Sequence, residues 1–268
     1  MKIGLIIIGD EILSGKRADK HLPKVIELLA VRGLELSWAR YVGDDPVRIT
    51  ADLKDAFASG ELVFSCGGIG ATPDDHTRQC AAAALGVPLA LHPEARDFVI
   101  ERMKDVAREQ GTTFDPDRDD NRHRLNMAVF PVGAEIIPNP YNKIAGFAVR
   151  SGDGGVFFVP GFPVMAWPMI EWVLDHRFGH LHLAQATRER SVIVFGAMEA
   201  ALTPLMESIE SNHPGIKVFS LPSVDHPEWG RHIELGVKGD RDSLAPAYRE
   251  LLDGLKSQHA ELGPELVR

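Results

Sequence analysis

Apolar and polar residues alternate along the chain in blocks that predict strands followed by helices. Ile3–Ile8 is almost continuously apolar and rich in isoleucine, a pattern typical of a parallel strand that is covered on both faces. Two further strands are predicted at Glu35–Val42 and Leu62–Ser65, and a helical pattern follows each of them. Repeated alternation of this kind indicates an α/β domain with a mostly parallel sheet.

The predicted helices carry recognisable start signals. Asp45 is expected to cap one helix, with Pro46 as its first residue. Thr72 and Pro73 are expected to play the same parts for a helix that ends at Leu85. Further helices are predicted at about 19–33, 93–110 and 160–173.

The second half of the chain predicts a hairpin and then a smaller domain. Gly111–Asn126 is polar and charged and is predicted to be a loop, whereas Phe147–Arg150 and Val156–Val159 flank a glycine-rich turn and predict a β-hairpin. Composition shifts over 175–188, which we interpret as a connector, and the remainder predicts the order strand, helix, strand, strand, helix. We therefore expect one α/β domain over 1–175 and a small α+β domain over 188–268.

Composition and charge narrow the function classes. A net charge of −9 and the lack of a basic stripe argue against nucleic-acid binding. The first apolar run is interrupted by Asp10 and Glu11, so it is too short for a secretory signal or a membrane span. Since the chain has only two cysteines, a disulfide framework is not expected, and we predict a cytoplasmic protein.

The segment Leu62–Thr77 carries the most specific chemistry. Its strand runs into a turn with three glycines, which expose backbone amides and allow a ligand to approach closely. Asp74 and Asp75 follow where a metal bound to a phosphate would need a carboxylate. A simpler interpretation is that Thr72 and Asp75 only form a helix-capping pair.

Acidic residues also follow the other two strands. Asp10 and Glu11 come after the first strand and are expected to converge with the aspartates above, because ligands bind outside the carboxyl ends of parallel strands. Alternatively, both are solvated loop charges. Asp44 follows the second strand, but a metal ligand there is the less favoured interpretation because the neighbouring Asp45 is accounted for as a cap. Cys66 is interpreted as a small buried hydrophobe rather than a nucleophile.

Six motifs together resemble a known family. In chain order they are IGDEILSG, VGDD, CGGIGATPDDHTR, DNR, IPNPYNKIAGF and FVPGFP. They are similar to the N-terminal molybdopterin-binding-type domain of the competence/damage-inducible protein CinA, which is related to the molybdenum-cofactor proteins MogA and MoaB. The resemblance covers about residues 1–175, and nothing resembles the C-terminal amidase domain of full-length CinA, so nicotinamide-mononucleotide deamidation is not expected.

The resemblance implies a three-layer α/β fold with a nucleotide or pterin phosphate over the glycine turn. The catalytic residues would be Asp75 and Asp10, and these two with Glu11 would hold a divalent cation such as Mg²⁺, Mn²⁺ or Co²⁺. The ligand-binding residues would be Gly67, Gly68, Gly70, Thr72, Asp74, Asn121, Arg122, Pro160, Gly161 and Pro163. The chain departs from the family pattern at Cys66 and Ala71, at 123–125, and at Tyr141–Ala145, and the last of these changes places Tyr141 and Lys143 near the site. The departures bear on the substrate.

The function that the resemblance favours is metal-dependent pyrophosphate cleavage of ADP-ribose-type dinucleotides. One alternative is a pterin- or nucleotide-binding module without catalysis. Another is adenylyl transfer to molybdopterin, against which the PNP and PGFP motifs count. Relatives assemble as dimers or trimers, so a homo-oligomer is expected.

Overall fold

The chain forms two compact units, Met1–His182 and Leu183–Arg268, in a computed structural model that describes residues 1–182 and 188–267. Two hydrophobic clusters lie in the first unit and a third lies in the second, so each unit has its own core. Among the helices of the described residues, none is both long enough and apolar enough to cross a bilayer.

A six-stranded sheet forms the centre of the first unit. The strands of this unit are β1 (Ile3–Ile8), β2 (Trp38–Val42), β3 (Leu62–Cys66), β4 (Leu89–Leu91), β5 (Val129–Pro131), β6 (Glu135–Ile137), β7 (Gly146–Ser151) and β8 (Gly154–Val159). The order across the sheet is β2-β1-β3-β8-β7-β6, while β4 pairs with β5. The four strands from β2 to β8 are parallel, and β7 pairs antiparallel with both of its neighbours, β8 and β6, which confirms the mostly parallel sheet expected from the sequence.

Helices cover both faces of this sheet. They are α1 (Asp10–Leu13), α2 (His21–Ala30), α3 (Pro46–Ser59), α4 (Thr77–Leu85), α5 (Pro93–Glu109), α6 (Asp119–Arg124) and α7 (Pro163–Arg177). One core cluster joins α3, α4 and α5 to one face of the sheet, and the other joins α2 and α7 to the opposite face. The alternation of side chains along β3 and β8 supplies both clusters, so the three-layer fold follows from strands that are apolar on each face.

The polar segment predicted to be a loop contains a helix. Within Gly111–Asn126, α6 forms at Asp119–Arg124 and a 3₁₀ turn follows at Leu125–Ala128. Acidic residues occupy the first turn of α6 and basic residues the last, an order that the helix dipole favours. The sequence prediction was wrong here because six residues are too few to show helical periodicity.

The connector between the units is shorter than predicted. Helix α7 continues to Arg177, and a 3₁₀ turn follows at Gly179–Leu181. Phe178 is fully buried in the core of the first unit, so the chain remains part of that unit to this point. The later part of the predicted connector, residues 183–187, lies outside the described residues.

An antiparallel four-stranded sheet and two helices form the second unit. Its elements are β9 (Arg188–Phe195), α8 (Glu199–Asn212), β10 (Lys217–His226), β11 (Gly230–Gly239), α9 (Arg241–Ser257) and β12 (Glu261–Val267). The strand order is β10-β11-β9-β12. The sequence prediction missed β12, which contains Pro264 and pairs with β9 through a register shift between Leu262 and Glu265. A proline is tolerated at such an irregularity in an edge strand but hides the strand pattern.

Candidate functional site

Four parallel strands end together at one edge of the central sheet. Ile8 is in register with Val42, Ile7 with Cys66, and Cys66 with Val159. The loops that follow these ends carry the acidic and glycine-rich residues recognised in the sequence. Because ligands of open α/β sheets bind outside the carboxyl ends of the strands, this edge is the candidate site.

The glycine turn after β3 packs tightly against its neighbours. Gly67 has φ +109°, and a Cβ atom there would lie 2.3 Å from the carbonyl oxygen of Ile8. Gly68 has φ +68°, and its Cβ would lie 2.1 Å from Oγ1 of Thr77. The Gly67 amide donates to the carbonyl of Val159 at 3.0 Å, so this amide fixes the turn to β8. Glycine is required at both positions by backbone conformation and by space.

Thr72–Asp75 forms a β-turn, and the helix start predicted there is wrong. The Asp75 amide donates to the Thr72 carbonyl at 3.1 Å, and Oδ2 of Asp75 accepts from the Thr72 amide at 2.8 Å and from its hydroxyl at 2.6 Å. Helix α4 begins only at Thr77, where the side chain donates to the carbonyl of Gly67. The sequence Thr-Pro-Asp suits a type I turn as well as a helix start, so the pattern could not separate the two.

Asp10 and Asp44 bind each other's backbone across the ends of β1 and β2. The Asp10 amide donates to Oδ2 of Asp44 at 2.9 Å, and the Asp44 amide donates to Oδ1 of Asp10 at 3.1 Å. Burial, followed by the negative charges of Asp10, Asp74 and Glu11, raises the pKa of Asp44 above its ordinary value. Four carboxylates therefore repel one another at this edge of the sheet.

The two neighbouring aspartates of the turn serve different sides of the site. Asp74 acts electrostatically on Asp44, and the Thr72 hydroxyl, which lies beside both aspartates, holds the pKa of Asp74 below its ordinary value. Asp75 lines a separate cleft with Thr72 and Arg78. Of the aspartates expected to converge, Asp74 and Asp10 thus lie on the Asp44 side of the turn, while Asp75 lies on the side of the separate cleft.

The carboxylates fit a cation only in part. Within the described part of the chain, no three histidine, cysteine, aspartate or glutamate side chains come together closely enough to hold a metal ion. The pair Asp10–Asp44 and the neighbouring Asp74 offer hard oxygen ligands of the kind that Mg²⁺ prefers. Such a set suits a cation whose remaining ligands are phosphate oxygens and waters, which is how Mg²⁺ commonly binds in nucleotide enzymes.

The loop after β8 forms a second wall beside the glycine turn. A Cβ atom at Gly161 would lie 3.5 Å from the Cα of Gly67, so the two backbones are in contact. Nε2 of the buried His21 lies 3.0 Å from the Gly161 carbonyl, to which it donates, and this bond holds the loop to the start of α2. Pro163 is the first residue of α7, and Pro160 follows β8 directly. The structure therefore brings Gly161 close to the turn, with Pro160 and Pro163 on either side of it in the sequence.

A polar cleft of about 460 Å³ opens on the other side of the turn. Its lining residues are Ala71, Thr72, Pro73, Asp75, Arg78, Gln79, Leu89, His123, Asn126 and Val129. Arg78 is only 4% exposed, donates to the Gly70 carbonyl at 2.6 Å and also donates to the Asn126 carbonyl. Burial lowers the pKa of Arg78, and the charge of Asp75 opposes that shift.

Asn121 and Arg122 lie in α6 but neither is among the residues that line the cleft. Asn121 is buried, donating to the Asp115 carbonyl at 2.7 Å and accepting from Arg124 at 3.0 Å, so it organises its own segment. Arg122 is exposed and lies 3.4 Å from Asp117. The α6 side chain that does line the cleft is His123.

Lys143 is bound to α5. Its Nζ lies 3.0 Å from Asp105 and 3.1 Å from Glu101, and these two carboxylates raise its pKa. The backbone at Lys143 has φ +67°, a strained conformation for a residue with a side chain. The structure thus directs this ammonium to a surface ion pair.

Both cysteines are buried and free. Burial raises the pKa of Cys66 far above its ordinary value and raises that of Cys80 as well. A thiol in such surroundings is a poor nucleophile. This agrees with the interpretation of Cys66 as a small hydrophobe.

Sequence reasoning missed two residues of the site, Arg78 and His123. It treated Asp44 as a less favoured metal ligand, although Asp44 follows β2 just as Asp10 follows β1. Arg78 lies inside the most specific motif, but the Asn126 carbonyl to which it donates comes near only in the folded chain. His123 could not be chosen over Arg122, since the helix that orients them was not predicted.

Comparisons with known proteins identify the family of the first unit. The family described as "Probable molybdopterin binding domain" matches residues 4–180. A CinA-like protein from Anaeromyxobacter dehalogenans (strain 2CP-C) is 36% identical over 177 residues, which cover 66% of this chain and 41% of that protein. A CinA-like protein from Geobacter metallireducens is 30% identical over 274 residues, which cover 100% of this chain and 61% of that protein. The chain thus spans about half the length of these relatives.

A solved structure shares the fold of the first unit. The protein CinA from Thermoplasma acidophilum, described as of unknown function, aligns with a TM-score of 0.54 at 24% identity, covering 66% of this chain and 98% of that one. At this identity the likeness shows the fold alone. Since the family match extends over more than half of the residues, and CinA-like proteins match the full chain, this protein belongs to the molybdopterin-binding domain family as a relative of the CinA-like proteins.

Proposed function

We propose that the first unit binds the phosphate groups of a nucleotide or pterin at the glycine turn. The observation that carries the proposal is the alignment of four parallel strand ends, which sets the Asp10–Asp44 pair on one side of the turn and the Arg78 cleft on the other. The family to which the chain belongs is described as binding molybdopterin, a phosphorylated pterin, and this supports the same ligand class.

We further propose that the ligand is a dinucleotide of the ADP-ribose type and that its pyrophosphate is hydrolysed. The Asp10–Asp44 pair would supply the protein ligands of a divalent cation whose other ligands are phosphate oxygens and waters, and Asp74 and Glu11 would add negative charge nearby. When bound, such a cation withdraws charge from phosphorus and makes a coordinated water more acidic. The feature that supports a cation in this position is the clustering of carboxylates, whose charges add to burial in raising the pKa of Asp44.

The chain's own residues would orient the substrate. Close packing of Gly68 against Thr77 and of Gly70 against Asp75 would hold the turn in one shape beneath the ligand, and the Gly161 loop would limit the site from the second side. Arg78 supplies a fixed positive charge on the cleft side, which would stabilise charge that develops on the phosphate oxygens. Asp75 lies in the cleft, and Thr72 donates two hydrogen bonds to its Oδ2. These bonds would fix the position of its other carboxylate oxygen as well.

The test is turnover of purified protein with ADP-ribose, FAD, NAD and coenzyme A, each with Mg²⁺, Mn²⁺ or Co²⁺. We expect AMP release from one of them, detected by chromatography, and loss of at least about 100-fold in turnover for Asp75→Asn, the scale of a group that acts in the transition state. Asparagine keeps an oxygen that can accept from Thr72, so the variant should remain folded. Asp45→Asn is the matched control and should retain activity, because it makes the same carboxylate-to-amide change at the residue that caps α3. Full activity of Asp75→Asn would overturn the assignment.

A binding module without catalysis is the second candidate. The observation that favours it is that two cations expected at the site, Arg122 and Lys143, are directed to surface carboxylates. It predicts that ADP-ribose binds and that no metal produces AMP. The same experiment therefore separates the two functions.

A further inference from the structure

The side chain of Arg78 is a positively charged group beside the candidate phosphate site. The family resemblance implies Arg122 as the arginine that contacts the ligand, but Arg122 is exposed and lies near Asp117. Arg78 is instead buried at the edge of the cleft, with 4% of its surface exposed. A charged side chain is seldom buried to this extent unless other interactions compensate for its lost hydration.

The hydrogen-bond partners of Arg78 carry no formal charge. Two of its nitrogens donate to the carbonyl oxygens of Gly70 and Asn126. Within the described residues, Asp75 is the carboxylate that acts on Arg78 electrostatically, and Oδ2 of Asp75 also accepts two hydrogen bonds from Thr72. The guanidinium therefore lies in the cleft with one carboxylate as its counter-charge, and an anionic group of a ligand would add a second.

These bonds also join two separate segments. Gly70 belongs to the turn that follows β3, whereas Asn126 belongs to the 3₁₀ turn after α6, which carries His123 into the same cleft. Arg78 itself is the second residue of α4. One side chain thus links three elements around the cleft, and the planar guanidinium suits this because it presents several donors in a fixed geometry.

We propose that Arg78 fixes the glycine turn to segment 119–128 and supplies the positive charge that binds the anionic phosphate group of the ligand in this cleft. The inference rests on the proposed function for the nature of the ligand, but not for the link between the two segments. Arg78 is thus both a positioning residue and a binding residue.

The experiment compares Arg78→Met, Arg78→Lys and the wild type in calorimetric titrations with inorganic pyrophosphate and with ADP-ribose. Arg78→Met is expected to weaken binding of both about 10- to 100-fold, the range for loss of a charged hydrogen-bond donor. Arg78→Lys keeps the positive charge but not the planar set of donors of the guanidinium, so it should retain part of the affinity. If Arg78→Met does not fold, the affinity of Arg78→Lys relative to the wild type decides the binding role.

Arg32→Met is the matched control for a structural effect. Arg32 is a poorly exposed arginine of the same unit that pairs with Asp175 at 2.6 Å and donates to the Leu28 carbonyl at 2.8 Å, on the opposite face of the sheet from α4. Its loss should lower the thermal midpoint without changing the affinity for pyrophosphate. Equal losses of affinity in Arg32→Met and Arg78→Met would overturn the binding role.

Hydrogen exchange gives a readout that needs no ligand. Amides of residues 119–128 should exchange faster in both Arg78 variants than in the wild type, and remain unchanged in Arg32→Met. Unchanged exchange in Arg78→Met would overturn the positioning role, and unchanged affinity would overturn the binding role. If the wild type binds pyrophosphate yet turns over no dinucleotide, the proposed hydrolysis fails while the inference about Arg78 is still decided by affinity and exchange.

Discussion

Gly67 combines a positive φ with a backbone contact that leaves no room for a side chain. The turn it forms must pass within van der Waals distance of Ile8 at the end of β1, because β1 and β3 are adjacent parallel strands. The same crowding brings the loop after β8 onto the turn through Gly161. The site is therefore shaped by backbone proximity as much as by side chains.

This geometry predicts a large and specific cost for adding one methyl group. Gly67→Ala should destabilise the first unit by about 2–5 kcal/mol, because backbone strain and steric overlap add. Gly86→Ala is the matched control, since Gly86 has φ +69° but open space around its Cβ position, and should cost only about 1–2 kcal/mol. Urea unfolding of both variants measures the difference. Equal costs would contradict the close contact with Ile8.

The sequence identifies residues whose role depends on local conformation and misses those whose role depends on tertiary contacts. Gly67, Gly68 and Gly70 could be recognised because three glycines between a strand and a helix have few structural explanations. Arg78 could not, since an arginine in a helix is ordinarily exposed, and its burial and its bonds to Gly70 and Asn126 depend on the tertiary fold.

Two loops, after β1 and after β2, are held together by hydrogen bonds between two residues of like charge. Reciprocal hydrogen bonds between Asp10 and Asp44 offset part of the repulsion, yet the pKa of Asp44 is raised by burial and by its acidic neighbours. The folded protein therefore holds the Asp44 proton more tightly than the unfolded chain does. The free energy of unfolding should fall as the pH rises from the ordinary aspartate pKa of about 3.9 through the raised value.

Removing this charge should stabilise the protein when no cation is present. In EDTA at neutral pH we predict that Asp44→Asn raises the free energy of unfolding, because asparagine can still accept from the Asp10 amide. The difference from the wild type should shrink as the pH falls through the raised value and below about 3.9, where the wild-type carboxyl becomes protonated in both states. Urea titrations at several pH values measure it. A less stable variant at neutral pH would contradict the assigned repulsion.

Elements with strong periodicity could be predicted, and elements defined by few residues could not. The positions of β1, α3 and the hairpin β7–β8 follow from continuous apolar runs, a capping aspartate and a glycine-rich turn. The start of α4 was placed too early because Thr72–Asp75 has turn and helix signals at once. Strand β12 was not predicted because Pro264 interrupts its strand pattern.

At the level of the whole molecule, the residues of the candidate site all belong to Met1–His182, the unit that the family match covers. The chain carries a net charge of −9, so an anionic ligand approaches a molecule that repels it. Arg78 offers one local attraction, and the carboxylates on the other side of the turn add repulsion unless a cation neutralises them. Ligand binding and cation binding should therefore depend on each other.

The most direct measurement is the affinity of a non-hydrolysable methylene analogue of ADP-ribose, titrated by calorimetry in EDTA and then in Mn²⁺. The account predicts binding at least about tenfold tighter with Mn²⁺, equal to about 1.4 kcal/mol of coupling, and loss of this gain when Asp10→Asn and Asp44→Asn are combined. Affinity that is unaffected by Mn²⁺, or a gain that persists in the double variant, would contradict a phosphate site completed by a cation at the ends of β1 and β2.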